Sequence, residues 1–188
     1  MQRTGGRSAN ALRKELVVRV EATSAATPET VYGLLTDLTS HLVWAGERQA
    51  KKTRLLTSDA PRGPAVVGTE WRSTGADPMG TFSDRSVVTE ATPGKALEFV
   101  TEARLMTKKG RVSEWTNVER YELEPSGDGC RIVSTSRVTR ISELPGMVAL
   151  FNVPVLRELG LKVSATVSRR TVRNLARVAE EREGRWIA

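Results

Sequence analysis

Hydrophobic and polar residues alternate along most of the chain, and this alternation predicts a set of β-strands. Residues 15–23, ELVVRVEAT, place Leu16, Val18 and Val20 on one face of a first strand. Six more alternating segments follow, separated by short turn-like runs, at residues 51–57, 65–74, 81–91, 96–107, 111–124 and 130–141. Because short turns join neighbouring antiparallel strands, this spacing predicts an antiparallel meander.

A short segment after the first strand changes to helical spacing. Thr27 is suited to an N-cap and Pro28 to the first helical position. The apolar residues that follow share one helical face: Val31, Leu34, Leu35 and Leu38. Trp44 follows Leu38 by six residues and ends this stretch.

The last quarter of the chain predicts one long amphipathic helix over residues 155–180. Its apolar residues follow one another mostly in steps of three and four: Leu156, Leu159, Val163, Val167, Thr171, Leu175 and Val178. A helix of this length crosses a whole sheet. We therefore expect Leu159, Val163 and Val167 to be buried against the sheet.

These elements predict an α+β protein. Its antiparallel sheet of about seven strands curves around the long C-terminal helix, and two short helices follow the first strand. A sheet of this size twists and curls, so a helix laid in its concave face leaves space beside it. We expect a cavity in that space.

Length and charge divide the chain into one domain and two tails. The 188 residues suit a single domain, which we place at residues 15–183. Residues 1–14 contribute four positive charges and no acid to the net charge of +7, and we expect them to be a disordered basic tail. Residues 184–188 are expected to form a C-terminal tail.

The amino-acid composition disfavours a disulfide, a zinc site, a phosphate-binding loop and a membrane-spanning segment. With Cys130 as its single cysteine and His41 as its single histidine, the chain has no internal disulfide and no residue set for structural zinc. No phosphate-binding glycine motif is present, so neither a metal nor a cofactor is expected. The longest apolar stretch, residues 147–156, is too short to span a membrane and contains Pro154. We expect a cytoplasmic protein.

The strand alternation also predicts which side chains face the cavity. On the strand 111–124, the more aromatic side carries Tyr121 and is placed inward. Extending this choice to the other elements gives the candidate ligand-binding residues: Trp44, Trp71, Phe82, Phe99, Thr101, Trp115, Asn117, Tyr121, Ser134, Ser136, Phe151, Leu156, Leu159 and Val163. A pocket with apolar walls and a few polar groups is typical of small-molecule sites.

Glu119 and Asp84 are the candidate catalytic residues on that inward side. A carboxyl group on an apolar wall has a raised pKa and is suited to general acid or base catalysis. The alternative interpretation is that Glu119 pairs with an arginine, such as Arg104 or Arg72, or lies near the edge of the sheet. His41 is interpreted as a solvent-exposed loop residue, with a place near the cavity mouth as the alternative.

Basic residues of the last helix do not predict nucleic-acid recognition. Arg169, Arg170, Arg173 and Arg177 lie among apolar positions at helical spacing, and three glutamates follow. Aromatic residues, which would stack on bases, are not interleaved with them. We expect no specific nucleic-acid partner, although the basic tail is suited to weak, nonspecific contact with polyanions or anionic membranes.

The order of these elements resembles the START-like (SRPBCC) superfamily with its helix-grip fold. More narrowly, it is similar to the polyketide cyclase/dehydrase and lipid-transport proteins. The stretches that carry the resemblance are, in order, ATPETVYGLLTDLTSHLVWAG, GPAVVGTEWRSTG, VVTEATPGKALEF, and YELEPSGDGCRIVSTSRV followed by VSRRTVRNLARVAEE. Together they cover roughly residues 15–183. In the family, the short helices close one end of the cavity against the long helix. The resemblance therefore implies that Trp44 lies at or near the mouth of the cavity, and the alternative is that it plugs the end of the core.

The resemblance implies binding or transport of a hydrophobic small molecule, such as a lipid, a polyketide or an isoprenoid-like compound. The alternative is an enzyme of the polyketide cyclase/aromatase type that uses polar cavity residues. Two or more ionisable groups converging on the cavity would indicate catalysis. The sequence offers Glu119 and, less directly, Asp84, so binding is favoured and the question of catalysis stays open. A homodimer is possible.

Overall fold

The computed structural model describes residues 15–49, 54–141 and 154–185 of the chain. Their helices and strands are, in chain order, β1 (Leu16–Ser24), α1 (Pro28–Thr36), a 3-10 turn (Leu38–Ser40), a π-helical segment (Val43–Glu47), β2 (Arg54–Asp59), β3 (Glu70–Ala76), β4 (Gly80–Thr92), β5 (Ala96–Thr107), β6 (Val112–Ser126), β7 (Gly129–Ile141) and α2 (Pro154–Arg182). The predicted α+β class is confirmed.

The seven strands form one antiparallel sheet in the order β1-β7-β6-β5-β4-β3-β2. From β2 to β7 each strand pairs with its neighbour in sequence, so the predicted meander is confirmed. β1 joins the sheet beside β7, where Val20 lies opposite Ser134. This pairing brings the first and last strands together next to α2.

The predicted strand at residues 65–74 is wrong in its first half, because β3 begins only at Glu70. Gly68 has a φ of 88°, which breaks the extended conformation. The backbone N–H of Val66 donates to Thr69 Oγ1 at 2.9 Å, and such a local bond competes with strand pairing. Val66 and Val67 are therefore exposed in a loop despite their strand propensity.

The predicted short helix is confirmed as α1. Thr27 caps it by accepting a hydrogen bond from the backbone N–H of Thr30 at 3.3 Å, and Pro28 is its first residue. The predicted apolar face is completely buried, with Val31, Leu34, Leu35 and Leu38 at most 1% exposed. This burial anchors the segment that continues to Trp44.

The long helix is confirmed, but its predicted buried face is wrong in the N-terminal half. Leu159 and Val163 are about 60% exposed, and Val167 is half-buried. The residues that pack on the sheet are Val172, Leu175, Ala176 and Ala179. At 3.6 residues per turn, Leu175 lies about 160° around the helix from Leu159. A stripe that advances by fours therefore drifts from the exposed side to the buried side.

Polar contacts fix the C-terminal half of α2 against the first third of the chain. Asn174 Nδ2 donates to the carbonyl oxygens of Trp44, at 3.1 Å, and Arg48, at 3.0 Å. Thr27 Oγ1 donates to Glu183 Oε1 at 2.7 Å. These bonds hold the short helical segments and α2 together over the concave face of the sheet.

Candidate functional site

A cavity of about 230 Å³ lies between the concave face of the sheet, the segment around Trp44 and the C-terminal half of α2. Every strand of the sheet except β1 contributes to it. Its lining residues are His41, Trp44, Ala45, Leu55, Trp71, Ser73, Asp84, Ser86, Phe99, Thr101, Asn117, Glu119, Tyr121, Ser134, Ser168, Thr171 and Val172. The expected cavity between the sheet and the helix is therefore present.

One part of the lining is a group of five rings, which we call the aromatic cluster: His41, Trp44, Trp71, Phe99 and Tyr121. The rings of Trp71 and Phe99 meet edge to face with their centroids 5.0 Å apart. Those of Phe99 and Tyr121 are stacked at 6.4 Å, and those of His41 and Trp44 are tilted at 4.5 Å. Such ring pairs add about 0.5–1.5 kcal/mol each beyond their buried area.

His41 is buried in this cluster, so the interpretation as a solvent-exposed loop residue is wrong. Its Nε2 lies 2.8 Å from the carbonyl oxygen of Leu35, which can only accept a hydrogen bond, so Nε2 carries a proton. Burial lowers the pKa of His41 from 6.5 to about 4. The signal for its burial is its spacing, because His41 continues the apolar face of α1 three residues after Leu38.

A second group of residues surrounds a carboxyl group and is called the Glu119 cluster: Asn117, Glu119 and Ser134, which line the cavity, and Ser136, which bonds to Asn117. Ser134 Oγ donates to Glu119 Oε1 at 2.7 Å, and Asn117 Nδ2 lies 3.5 Å from Glu119 Oε2. Ser136 Oγ donates to Asn117 Oδ1 at 2.9 Å. The strand register explains the grouping, since Glu119 on β6 lies opposite Ser136 on β7.

Burial raises the pKa of Glu119, and the polar groups of Ser134, Ser136 and Asn117 beside it only partly oppose that effect. Burial, together with the charge of Glu119, also raises the pKa of Tyr121 well above its usual value. The alternative that Glu119 pairs with an arginine is wrong for the described part of the chain, where its partners are these neutral side chains.

Asp84 forms a separate polar site on β4. Its Oδ1 accepts hydrogen bonds from Ser73 Oγ at 2.5 Å and from the Ser73 backbone N–H at 3.2 Å. Burial raises the pKa of Asp84, and Ser73 opposes that effect. Asp84 and Glu119 stand on β4 and β6, with β5 between them. They are therefore two independent carboxyl groups around one cavity.

Most of the predicted site residues line this cavity. The ones that do are Trp44, Trp71, Asp84, Phe99, Thr101, Asn117, Glu119, Tyr121 and Ser134. Ser136 takes part indirectly through Asn117. Phe151 and the side chain of Leu156 lie outside the described part of the structure.

Four predicted residues lie elsewhere. Leu159 and Val163 are exposed on α2 and lie about 120° and 80° around the helix from the cavity-lining residue Thr171. Phe82 shares the concave face but packs over Gly75, where a Cβ atom would lie 2.1 Å from the phenyl ring. Trp115 lies beyond the cavity, paired with Ile141 at the far end of β7.

The cavity also contains residues that the sequence did not single out. Ser73 comes two residues after Trp71 on β3, and Ser86 comes two residues after Asp84 on β4. The alternation that places Trp71 and Asp84 inward therefore places the two serines inward as well. Ser86 Oγ and Thr101 Oγ1 are hydrogen-bonded at 2.8 Å across β4 and β5. Ser168, Thr171 and Val172 were missed because they depend on which side of α2 faces the sheet.

Neither a metal site nor a membrane-spanning helix is found in the described ranges. Within them, no three His, Cys, Asp or Glu side chains are grouped closely enough to hold a metal ion. No described helix is long and apolar enough to cross a bilayer.

A curved antiparallel sheet that grips a long C-terminal helix, with short helices after the first strand, defines the helix-grip class. The family model described as polyketide cyclase/dehydrase and lipid transport matches residues 15–180. The chain belongs to this family. No curated protein matches the chain in sequence.

Solved structures share the same fold at low sequence identity. Protein CV1439 from Chromobacterium violaceum superposes with a TM-score of 0.58 at 14% identity, over 87% of this chain and 97% of its own. TTHA0849 from Thermus thermophilus gives 0.57 at 16% identity, covering 88% and 98%. Ara h 8.0201 gives 0.54 at 13% identity, covering 89% and 99%. At these identities the similarity shows the fold alone.

Proposed function

We propose that the protein binds a compact, mostly apolar and uncharged small molecule in the cavity between the sheet and α2. The observation that carries this proposal is the composition of the lining, where five rings stand beside a few hydrogen-bonded polar groups. Apolar walls with a small number of fixed polar groups are typical of ligand sites. The aromatic cluster covers the apolar part of the ligand, and Asn117 and Glu119 bind its polar group.

The size of the cavity supports a small ligand. Sites for drug-sized molecules enclose about 300–1,000 Å³, whereas this cavity encloses about 230 Å³. A single-ring or two-ring polyketide or a short isoprenoid therefore suits it better than a long-chain lipid. The buried indole N–H of Trp44 has no acceptor within the described residues, so a ligand oxygen near that ring would gain a hydrogen bond.

The ionisation of the cavity supports an uncharged ligand. His41 has a lowered pKa, and Glu119 and Asp84 have raised pKa values, so burial favours the neutral form of all three groups. A ligand anion would lose its hydration in the same surroundings without gaining an arginine or lysine partner among the lining residues. A neutral molecule with a carbonyl or hydroxyl group avoids this loss.

Native mass spectrometry of the purified full chain tests for a co-purified molecule, and titration with an apolar fluorescent probe tests the cavity directly. We expect one probe per chain. Phe99→Leu should weaken probe binding about fivefold to tenfold, since it removes a ring contact of about 1 kcal/mol. Phe82→Leu is the matched control, because Phe82 shares the concave face without lining the cavity. Equal effects of the two variants, or no probe binding at all, would contradict the proposal.

A second candidate function is a cyclase or dehydratase reaction on a poly-β-ketone. It is favoured by one observation, that Asp84 and Glu119 both line the cavity with raised pKa values. An ionised carboxylate is suited to remove the proton between two carbonyl groups, and a protonated carboxyl group to donate to the oxygen that leaves or is attacked. Turnover by the parent protein that is lost in Glu119→Gln, with substrate binding retained, would establish this reaction over simple binding.

A further inference from the structure

The exposed side of α2 carries two patches in succession. Positions 155, 159, 163, 166, 170, 173 and 177 are three or four residues apart and share one side of the helix. The first patch is aliphatic and exposed: Val155 (76%), Leu159 (59%) and Val163 (61%). The second patch is basic: Arg170, Arg173 and Arg177. We call these seven positions the outer face of α2.

The basic patch borders a wide groove of about 780 Å³ that is lined by five arginines: Arg48, Arg169, Arg170, Arg173 and Arg177. From residue 159 to residue 179 the chain has five lysines and arginines and no aspartate or glutamate. Arg48 pairs with Glu181 at 2.6 Å. Within the described residues, Arg169, Arg170 and Arg173 form no ion pair. The groove therefore keeps a positive charge that its own surroundings do not neutralise.

We propose that the outer face of α2 docks on an anionic lipid bilayer. Exposed aliphatic side chains enter the boundary between head groups and acyl chains, and nearby cations are attracted to the negative surface. Guanidinium groups bind phosphate oxygens through two parallel hydrogen bonds. The aliphatic side chains that would enter the bilayer are Val155, Leu159 and Val163. The cations that would bind the lipid phosphates are the arginines of the groove.

This docking would place α2 between the lipid surface and the cavity. Thr171 and Val172 line the cavity, while their neighbours Arg170 and Arg173 lie on the outer face. The bilayer surface would thus be separated from the cavity by one helix, about 10–12 Å across. The proposal does not depend on the identity of the cavity ligand, because none of the outer-face residues lines the cavity.

The charge and area of the surface disfavour a second copy of the chain as its occupant. Three aliphatic side chains expose far less than the roughly 800 Å² that each partner buries in a stable interface. A two-fold pairing would also place the arginines of one helix against the arginines or the aliphatic residues of the other. A nucleic acid would use the arginines but leave the aliphatic patch in water.

Co-sedimentation of the full chain with lipid vesicles tests the proposal. The protein should bind mixed phosphatidylcholine and phosphatidylglycerol vesicles, bind pure phosphatidylcholine weakly, and dissociate at high salt. Arg170→Gln/Arg173→Gln should weaken binding roughly tenfold to thirtyfold, since each surface cation contributes about 1 kcal/mol. Leu159→Ser/Val163→Ser should also weaken it. Thermal melting of both double variants should match the parent, because the changed side chains are exposed.

Two control variants separate this surface from other sources of charge. Arg104→Gln/Arg137→Gln removes the same charge from exposed positions on the sheet and should bind nearly as well as the parent. Arg3→Gln/Arg7→Gln removes it from the basic N-terminal segment. The proposal is overturned if the parent ignores anionic vesicles, if only the N-terminal variant loses binding, or if the parent binds duplex DNA and not vesicles. It is also overturned if the parent is a dimer that Leu159→Ser/Val163→Ser dissociates.

Discussion

The two clusters at the cavity shift the pKa values of their ionisable groups toward the neutral form in different surroundings. In the aromatic cluster, His41 is surrounded by rings, and its ring nitrogen Nε2 bonds to the carbonyl oxygen of Leu35. In the Glu119 cluster, the carboxyl group is surrounded by hydroxyl and amide groups that partly support its charge. Burial is the dominant cause in both, and it lowers the pKa of the base and raises the pKa of the acid.

This difference has an opposite consequence for stability in the two clusters. A buried base with a lowered pKa destabilises the fold as the pH falls, because the unfolded chain takes up the proton first. A buried acid with a raised pKa destabilises the fold as the pH rises, because the unfolded chain loses the proton first. The cavity therefore has two internal pH responses of opposite sign, which substitutions can separate.

The largest expected effect is on stability through the aromatic cluster. Trp71 is 5% exposed and packs against Phe99 with a centroid distance of 5.0 Å. Trp71→Ala should lower the free energy of unfolding by about 3–5 kcal/mol, as is usual for a buried aromatic residue. Chemical denaturation measures this loss. A loss below that of Ser134→Ala, in the Glu119 cluster, would show that the rings contribute little to the fold.

The second prediction concerns His41 and acid. Its pKa is 6.5 when unfolded and about 4 when folded, so the folded state binds fewer protons between these values. The free energy of unfolding should fall by about 3 kcal/mol as the pH decreases from 6.5 to 4 because of this group. Denaturation at several pH values checks the parent against His41→Gln. The glutamine amide can still donate to Leu35 but cannot take up a proton.

In His41→Gln, this acid-dependent loss should disappear. If the variant loses as much stability between pH 6.5 and pH 4 as the parent does, then His41 is not the group responsible. An increase in the parent's stability over that range would mean that the carboxyl groups of the cavity outweigh the histidine.

The third prediction concerns the hydrogen bond between Ser134 and Glu119. Ser134→Ala removes the donor that lies 2.7 Å from Glu119 Oε1. A hydrogen bond to a carboxylate is worth about 1.5–3 kcal/mol, and part of it is recovered when the carboxyl group binds a proton. Thermal melting near neutral pH should therefore show a loss of about 1–2 kcal/mol that diminishes in acid. The hydroxyl group of Ser136 bonds to Asn117 instead of Glu119. Ser136→Ala should therefore lose less stability than Ser134→Ala, and its loss should change less with pH.

The fold was predictable because several independent signals agreed along the chain. Alternation located the strands, and a cap and an apolar face located α1. The exceptions have local causes. Val66 and Val67 carry the residue type of a strand, but the turn at Gly68 and the side-chain bond to Thr69 override that propensity. A single-sequence pattern does not weigh such a bond against strand pairing.

The cavity-lining residues were predictable on the strands but not on the helix α2. Alternation placed Phe99, Glu119 and Ser134 inward, since a strand has only two faces. On α2 the apolar residues drift around the helix, so the sequence does not decide which of them faces the sheet. That choice follows from the tertiary contacts of Asn174 and Leu175 with the rest of the molecule.

The smallest expected effect on stability is that of Glu119→Gln. The raised pKa of Glu119 means that the folded state retains a proton which the unfolded chain loses above about pH 4.5. The stability that this proton gives is fully present below that pH and is lost as the pH rises through the folded pKa. Glutamine stays neutral and keeps an oxygen to accept from Ser134, so the variant should melt higher than the parent near neutral pH.

The informative quantity is the melting temperature of Glu119→Gln minus that of the parent, measured from pH 4 to pH 8. This difference in melting temperature should increase with pH. Each kcal/mol of unfolding free energy that the variant gains by lacking the buried charge raises it by about 2–4 °C. Asp84 and His41 are present in both proteins, so their own pH responses cancel in this difference. Glu102→Gln removes a charge from an exposed position on β5 and should show no such increase. A difference that stays constant or decreases with pH would mean that Asn117, Ser134 and Ser136 support the carboxylate more than burial opposes it, and that the Glu119 cluster is suited to an ionised group after all.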